Sequence, residues 1–260
     1  MAIEVSAGVD WNVGEPAGSV LLVRVADAPD QRLLHEELTV DGGDIEDPRM
    51  VADLGARVVR VHATGGPVSL RYRARVELDR AGRPEPAAEL PDLNTLDLSL
   101  MRWTLPSRYC PADELVPTAD SLFGELPRDG TLLEAVRAWV ERSIVYTPGV
   151  SDAYTTATET LLRRAGVCRD LAHLCVSLLR ALGVPARMVA CYALDLEPQD
   201  FHALVEAHDG TAWQLMDATG LAPVESTARI ATGRDAADIA WATTGGPMDL
   251  RELAIAVARV

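Results

Sequence analysis

The chain of 260 residues contains no lysine, so each of its 24 basic residues is an arginine. A lysine amine is therefore excluded as a catalytic group of the chain's own. Acidic residues number 39, which gives a formal net charge of −15 at pH 7. Because nucleic acids and anionic membrane surfaces are bound through clustered positive charge, this balance argues against both as partners.

Cysteine is scarce, and no two cysteines have the Cys-x-x-Cys spacing. The four are Cys110, Cys168, Cys175 and Cys191. A disulfide scaffold is not expected at this length. A structural zinc site is not expected either, because its ligands usually come in pairs two to four residues apart. We therefore expect neither a metal nor another cofactor.

Long apolar runs are also missing, and none approaches the roughly 20 residues of a membrane-spanning helix. The first residues lack the basic start and the apolar run of a signal peptide. These two features favour a cytoplasmic protein.

The first 80 residues alternate between apolar and polar side chains, with the period of a strand that has one buried face. The clearest example is segment 68–79, in which every second residue is apolar. Further strands are predicted at 3–11, 20–25, 33–40 and 57–62. The acidic segment 41–47 is predicted to be a solvated loop. Residues 1–80 are therefore predicted to form an N-terminal all-β domain with antiparallel strands.

Proline then becomes frequent, and residues 81–111 are predicted to form a linker to a second domain at 112–260. The prolines are Pro84, Pro86, Pro91, Pro106 and Pro111. Apolar residues at helical spacing follow over 132–144. Thr156 and Glu159 predict a capping box at the start of a short helix, which Gly166 is predicted to end. Strands are predicted at 186–194, 200–207, 211–217 and 250–257.

Cys168 lies in the first turn of a long apolar helix predicted to begin at about Val167. The first backbone N–H groups of a helix have no partners within it and carry the positive end of its dipole, which favours a thiolate. Cys175 lies within the apolar stripe of this helix, as a small buried side chain would. Cys168 lies off that stripe and beside Arg169, so it is a candidate nucleophile, with simple burial as the alternative.

The dipeptide Asp209–Gly210 is typical of a two-residue β-hairpin loop. With this loop, His202 lies directly across from Asp217. The Cβ atoms of opposed residues are roughly 4.5–5.5 Å apart, close enough for a carboxylate to orient an imidazole. With Cys168 they complete a set in which the cysteine attacks, the histidine transfers the proton and the aspartate orients the histidine. A buried strand histidine and a turn aspartate are the structural alternatives.

Four segments resemble the core of the bacterial transglutaminase-like superfamily, in the family's order of cysteine, histidine and aspartate. They are Gly166–Leu174, Leu182–Arg187, Asp200–Val205 and Trp213–Thr219. The resemblance covers about residues 130–220. The tail 229–239 and the β-rich N-terminal region also resemble the bacterial branch that has its own N-terminal domain. One departure is Ala218, where the family often has proline after the aspartate.

This resemblance implies an α+β fold. A papain-like transglutaminase core, in which the helix bearing the cysteine packs on an antiparallel sheet, follows an N-terminal β-sandwich-like domain. It also implies a catalytic triad of Cys168, His202 and Asp217. The backbone N–H of Cys168 is an expected donor to the oxyanion, and Tyr146 and Tyr154 are candidates for the second donor. Ordinary packing is the alternative role for both tyrosines.

The implied reaction cleaves or exchanges an amide bond through a thioester on Cys168. Its substrate is a peptide, a protein or a glutamine-type amide. Hydrolysis is favoured because the chain has no calcium loop of the kind that regulates animal transglutaminases, and nothing suggests a tunnel for a lysine side chain. Two alternatives stay open: a non-catalytic binding or scaffold module, and acyl transfer from a small thioester such as coenzyme A to an amine.

Overall fold

The structure, a computed structural model, describes residues 1–51, 54–79, 89–92 and 94–260. Pro84 and Pro86 of the predicted linker lie outside the described residues. The described part of that segment packs against the residues that follow it: Trp103 is buried and meets the Trp213 ring edge-on at 5.8 Å. No helix of the described residues has the length and apolar content needed to cross a bilayer.

The described residues contain fourteen strands and five α-helices. The strands are β1 (Ala2–Val13), β2 (Ala17–Leu21), β3 (Gln31–Asp41), β4 (Asp44–Val51), β5 (Ala56–Ala63), β6 (Gly66–Leu78), β7 (Val145–Tyr146), β8 (Ala165–Gly166), β9 (Ala186–Ala193), β10 (Phe201–His208), β11 (Trp213–Met216), β12 (Thr227–Gly233), β13 (Ala242–Thr244) and β14 (Asp249–Arg259). The helices are α1 (Val116–Phe123), α2 (Gly130–Ser143), α3 (Ala157–Arg163), α4 (Cys168–Ala181) and α5 (Ala236–Ile239). This mixture of helices and antiparallel sheets confirms the predicted α+β class.

Two four-stranded antiparallel sheets contain the N-terminal strands. Their strand orders are β14-β1-β6-β3 and β13-β2-β5-β4. The alternation seen in the sequence becomes an alternation of burial, so that in β6 Leu70, Tyr72 and Ala74 are buried while the arginines between them are exposed. Both sheets also take a strand from the C-terminal tail, with β14 beside β1 and β13 beside β2. The domain boundaries at 80 and 112 stay a prediction.

The prediction of a solvated loop over 41–47 is wrong for its second half. The turn is confined to Gly42 and Gly43, and β4 begins at Asp44 and pairs with β5. Gly42 has a φ of 79°, and a Cβ there would lie 2.2 Å from the Pro67 carbonyl oxygen, so this position requires glycine. The acidic side chains of Asp44 and Glu46 are compatible with a strand because both are at least partly exposed to solvent. Glu46, for example, pairs with Arg60 at 2.8 Å.

The third sheet, of order β11-β10-β9-β12, packs against helix α4. This helix is covered by the sheet and by α1, α2 and α3, and every residue from Asp170 to Arg180 is buried. Eleven successive buried residues, polar ones among them, show that this helix lies inside the core. The core therefore fixes the axis of α4, and with it the place of Cys168 at the helix start.

Side-chain bonds join the third sheet to the N-terminal part. The Gln31 amide donates to the Arg229 carbonyl oxygen (3.0 Å) and accepts from the Arg229 backbone N–H (2.8 Å). The Tyr192 hydroxyl donates to the Val23 carbonyl oxygen at 2.5 Å. Both contacts are buried, so the sheet that carries the candidate site residues is held by the N-terminal part as well as by α4.

Candidate active site

The hairpin that carries His202 and Asp217 has a register different from the predicted one. Strands β10 and β11 pair His208 with Trp213, and their ladder ends before it reaches either candidate residue. The register is shifted by two residues. The prediction that His202 lies directly across from Asp217 is therefore wrong.

The cause of the shift is the loop, which contains four residues, 209–212, instead of two. The Asp209 carboxylate lies inside this loop and accepts hydrogen bonds from the backbone N–H groups of Thr211 and Ala212, each at 2.8 Å. An aspartate that bonds to its own downstream backbone forms a wider turn than the two-residue type that the dipeptide predicts.

A shift of two residues nevertheless leaves both side chains on the same face, because strand side chains alternate with a period of two. His202 and Asp217 are therefore diagonal rather than direct neighbours, and their side chains still meet. Nε2 of His202 lies 3.0 Å from Oδ2 of Asp217. The two side chains are 1% and 5% exposed, so the contact is shielded from water.

The Asp217 carboxylate is held at both oxygens. Oδ1 accepts from the backbone N–H and from the hydroxyl of Thr219, each at 2.7 Å. Oδ2 accepts from the backbone N–H of Ala222 at 3.0 Å in addition to His202. Burial alone would raise the pKa of Asp217, but the bonds from His202 and Thr219 outweigh it and lower the pKa. Sequence reasoning missed Thr219, although a threonine two residues after an aspartate is a recognisable turn signal.

The start of α4 is fixed by a buried carboxylate. Asp170 accepts the backbone N–H of Val167 at 2.9 Å, and its other oxygen meets the Arg169 guanidinium at 3.1 Å. Arg169 also donates to the Asp152 carbonyl oxygen at 2.8 Å. These bonds tie the first turn of the helix, which begins with Cys168, to the preceding loop.

Gly166 does not end α3, contrary to the prediction. The helix ends at Arg163, and its C-cap residue Arg164 has a left-handed φ of 57°. Gly166 belongs to the short strand β8, which pairs in parallel with β7 and places Gly166 opposite Tyr146. Glycine is needed there because a Cβ would lie 2.7 Å from the Cβ of Asp170. The close approach lets the strand pair place Tyr146 beside the start of α4.

Cys168 lies close enough to His202 to affect the pKa of the imidazole. Burial alone would lower the pKa of His202, but hydrogen bonds to Asp217 and Cys168, together with their charges, raise it to about 9. Because Nε2 of the imidazole faces Asp217, Nδ1 is the nitrogen left for Cys168. The three residues that the sequence singles out are thus in contact in the order cysteine, histidine, aspartate.

The two tyrosine candidates have different surroundings. The Tyr146 hydroxyl lies near Cys168, and burial and the Cys168 charge raise the pKa of Tyr146 to about 12. It therefore keeps its proton at neutral pH. Tyr154 is 74% exposed, and its backbone N–H bonds to Asp152 at 2.8 Å. This geometry favours Tyr146 over Tyr154 as a donor near the thiol.

The remaining cysteines are buried. Burial raises the pKa of the Cys110 and Cys175 thiols to about 12. The Cys191 thiol lies 3.6 Å from the His202 carbonyl oxygen. Cys168 alone among the four is partly exposed. Within the described residues, no three His, Cys, Asp or Glu side chains form a group that could hold a metal ion.

Comparison with known proteins places this chain in a family. A crystal structure of a proposed cysteine protease from Cytophaga hutchinsonii is 33% identical, with a TM-score of 0.91, over 99% of this chain and 90% of that chain. The periplasmic domain of TgpA from Pseudomonas aeruginosa is more distant: 18% identical, with a TM-score of 0.39, over 82% of this chain and 92% of that one.

An uncharacterised protein of Mycobacterium leprae is 25% identical over 146 residues. This match takes in 52% of the chain, and the chain spans about half the length of that relative, 51%. The model of the transglutaminase-like superfamily matches residues 118–218, the range that contains Cys168, His202 and Asp217. The chain belongs to the transglutaminase-like superfamily.

Proposed function

We propose that this protein is a cysteine-dependent enzyme that cleaves an amide bond in a peptide or protein through a thioester on Cys168. The single observation that carries the proposal is the position of His202, whose Nε2 lies 3.0 Å from the Asp217 carboxylate and whose pKa is raised by Asp217 and by nearby Cys168. Membership of the superfamily and the likeness to a proposed cysteine protease support a cysteine-dependent enzyme of this kind.

In the proposed reaction, the Cys168 sulfur attacks the carbonyl carbon and forms the C–S bond. Nδ1 of His202 then gives its proton to the leaving amine as the C–N bond breaks. In the second half, His202 takes a proton from water, which attacks the thioester and breaks the C–S bond. The products are a carboxylic acid and an amine, and the thiolate and imidazolium are restored. Asp217 keeps the imidazole oriented in both halves.

The developing negative charge on the carbonyl oxygen requires donors close to the sulfur. We assign this role to the backbone N–H of Cys168 and to the Tyr146 hydroxyl. The N–H belongs to the first turn of α4, where no helical partner is present. The tyrosine keeps its proton and lies against Cys168, as a donor at this place must.

Water is the favoured acceptor of the acyl group. Tyr146 is 41% exposed and Cys168 is partly exposed, so the thioester would form at an open surface that water reaches freely. A protein or peptide is the favoured substrate for the same reason, because an open site accommodates a chain that continues on both sides.

The test is turnover of three substrate classes by the purified chain: peptide amides, glutamine side-chain amides and acyl-coenzyme A with an amine. Cys168→Ala is compared with Cys175→Ala, which changes a buried cysteine of the same helix. We expect amide hydrolysis that Cys168→Ala abolishes and Cys175→Ala keeps. Turnover of acyl-coenzyme A alone would favour the acyltransferase. Amide turnover that survives Cys168→Ala would refute the nucleophile.

A further inference from the structure

The turn that follows β11 encloses the Asp217 carboxylate. The Thr219 hydroxyl donates to Oδ1 and in turn accepts the backbone N–H of Leu221 at 3.1 Å. It therefore links the carboxylate to the backbone two residues further along. The backbone N–H groups of Thr219 and Ala222 add two more donors.

These donors are divided between the two carboxylate oxygens. Oδ1 takes both donors of Thr219, and Oδ2 takes Ala222 and His202. A carboxylate whose Oδ1 is fixed by two bonds cannot rotate about its χ2 angle without breaking them. The carboxylate is thus held with Oδ2 toward the imidazole.

Helix α2 holds the same turn from outside. Arg137 donates to the Asp217 carbonyl oxygen at 3.3 Å and to Glu141 at 2.7 Å. Gly220 has a φ of 68°, and a Cβ there would lie 2.4 Å from the Glu141 carboxylate. The turn is thus packed closely against α2, and the backbone on which the Thr219 hydroxyl acts is itself anchored.

We propose that Thr219 is a positioning residue for the reaction: its hydroxyl fixes the Asp217 carboxylate in the orientation that holds His202 against Cys168. The inference rests on the proposed function, because it assigns a purpose to the orientation of His202. The hydroxyl of Thr219 bonds to Asp217 and not to Cys168 or His202, so Thr219 acts through Asp217.

The chain contains a matched control for this bond. In the loop between β10 and β11, Thr211 donates to Oδ1 of Asp209 through its N–H at 2.8 Å and through its hydroxyl at 2.7 Å. The corresponding distances from Thr219 to Asp217 are both 2.7 Å. The two turns have the same local chemistry, but Asp209 does not bond to His202. Thr211→Val therefore removes an equivalent hydroxyl away from the candidate site.

The experiment compares Thr219→Val, Thr219→Ser and Thr211→Val in the full chain, with folding checked by circular dichroism. NMR titration of the histidine ring signals gives the pKa of His202, assigned with a His202→Gln variant. Iodoacetamide alkylation of Cys168 at neutral pH, read by peptide mass spectrometry, gives its reactivity without a known substrate. Where an amide substrate is found, kcat and KM are measured separately.

We expect Thr219→Val to lower the pKa of His202 and to slow alkylation of Cys168 roughly tenfold, the size expected for loss of one hydrogen bond to a charged group. The loss in turnover should appear in kcat rather than KM. Thr219→Ser, which keeps the hydroxyl, should restore both values, and Thr211→Val should change neither.

An unchanged His202 pKa in Thr219→Val, or an equal change in Thr211→Val, would overturn the proposal. So would a Thr219→Ser variant that behaves like Thr219→Val, since the hydroxyl would then be irrelevant. Failure of the proposed function looks different: Cys168→Ala would keep amide turnover while the His202 titration still responded to Thr219→Val.

Discussion

Three side chains from separate parts of the chain meet at the start of α4. Cys168 comes from the helix, His202 from β10 and Asp217 from the end of β11. Burial alone would lower the pKa of the imidazole, whereas its interactions with Asp217 and Cys168 raise the pKa and favour the protonated form. The chemistry proposed for Cys168 depends on this balance between burial of the imidazole and its interactions with Asp217 and Cys168.

The Tyr146 hydroxyl is the side-chain donor proposed for the oxyanion. Replacement of one oxyanion donor costs roughly 100-fold to 1,000-fold in kcat. We expect Tyr146→Phe to lose activity on this order, because it removes the hydroxyl that lies against Cys168. Tyr154→Phe is the comparison, and its exposed side chain should be dispensable. Steady-state kinetics on an amide substrate measures both, and the reverse ranking would contradict the assignment.

The ion pairs of Glu36 are expected to contribute to the stability of the fold in mild acid. Burial would raise its pKa, but ion pairs with Arg57 and Arg24 lower it to about 2. The folded pKa lies below the unfolded value, so the stabilisation is present above about pH 4.5 and is lost as the pH falls toward 2. Between pH 5 and 2.5, the free energy of unfolding measured in urea should therefore fall less in Glu36→Gln than in the unaltered chain.

The neighbouring Glu37 provides the control for that measurement. Its side chain is 69% exposed and its partner His35 is 65% exposed. Glu37→Gln should follow the unaltered chain throughout this pH range. Equal acid sensitivity in all three proteins would show that the Glu36 ion pairs do not stabilise the fold.

At the scale of elements, the buried carboxylate at the start of α4 is expected to matter more than an ordinary helix cap. Asp170→Ala leaves the Val167 N–H and the Arg169 guanidinium without their partner, and should reduce the free energy of unfolding by about 3 kcal/mol. Asp129→Ala removes an exposed cap of α2 and should cost about 1 kcal/mol. Urea denaturation measures the free energy of unfolding of both variants. Equal losses would mean that Asp170 acts only as a helix cap.

Regular elements could be predicted from the sequence because their signals are local. The alternation over 68–79 became β6, and the Thr156–Glu159 capping box begins α3 as predicted. Turns were less predictable, since Asp209 and Gly166 have side-chain or packing partners that the residue types alone do not reveal. The hairpin was predicted only in part. The predicted register was wrong, but the two-residue period still places His202 and Asp217 on one face.

At the scale of the whole molecule, the C-terminal tail completes the first sheet. A strand at 250–257 could be predicted, but its partner could not, because alternation does not encode which edge a strand joins. Likewise, the bonds from Arg137 to the Asp217 carbonyl oxygen and from Arg169 to the Asp152 carbonyl oxygen join residues far apart in the sequence, so they depend on tertiary positions. The sequence therefore predicted the residue types of the candidate site better than the contacts that hold them.

Two apolar side chains of β14 differ in burial. Ile255 is 8% exposed and lies across from Ala7, whereas Leu250 on the same strand is 43% exposed. Ile255→Ala should reduce the free energy of unfolding by about 3 kcal/mol, and Leu250→Ala by much less. Thermal and urea unfolding provide the comparison. Equal effects would mean that the tail contributes little to the sheet.

The most direct test of the central claim is the pH profile of Cys168 alkylation by iodoacetamide, in the folded chain, in His202→Ala and in urea. If exposure alone determined the reactivity of Cys168, its alkylation rate would follow the titration of a free thiol near pH 8.5. If His202 activates Cys168, the folded chain should be alkylated faster than a free thiol below that pH, and His202→Ala and urea should both abolish this excess rate. A folded profile that matches the urea profile would contradict the proposed nucleophile.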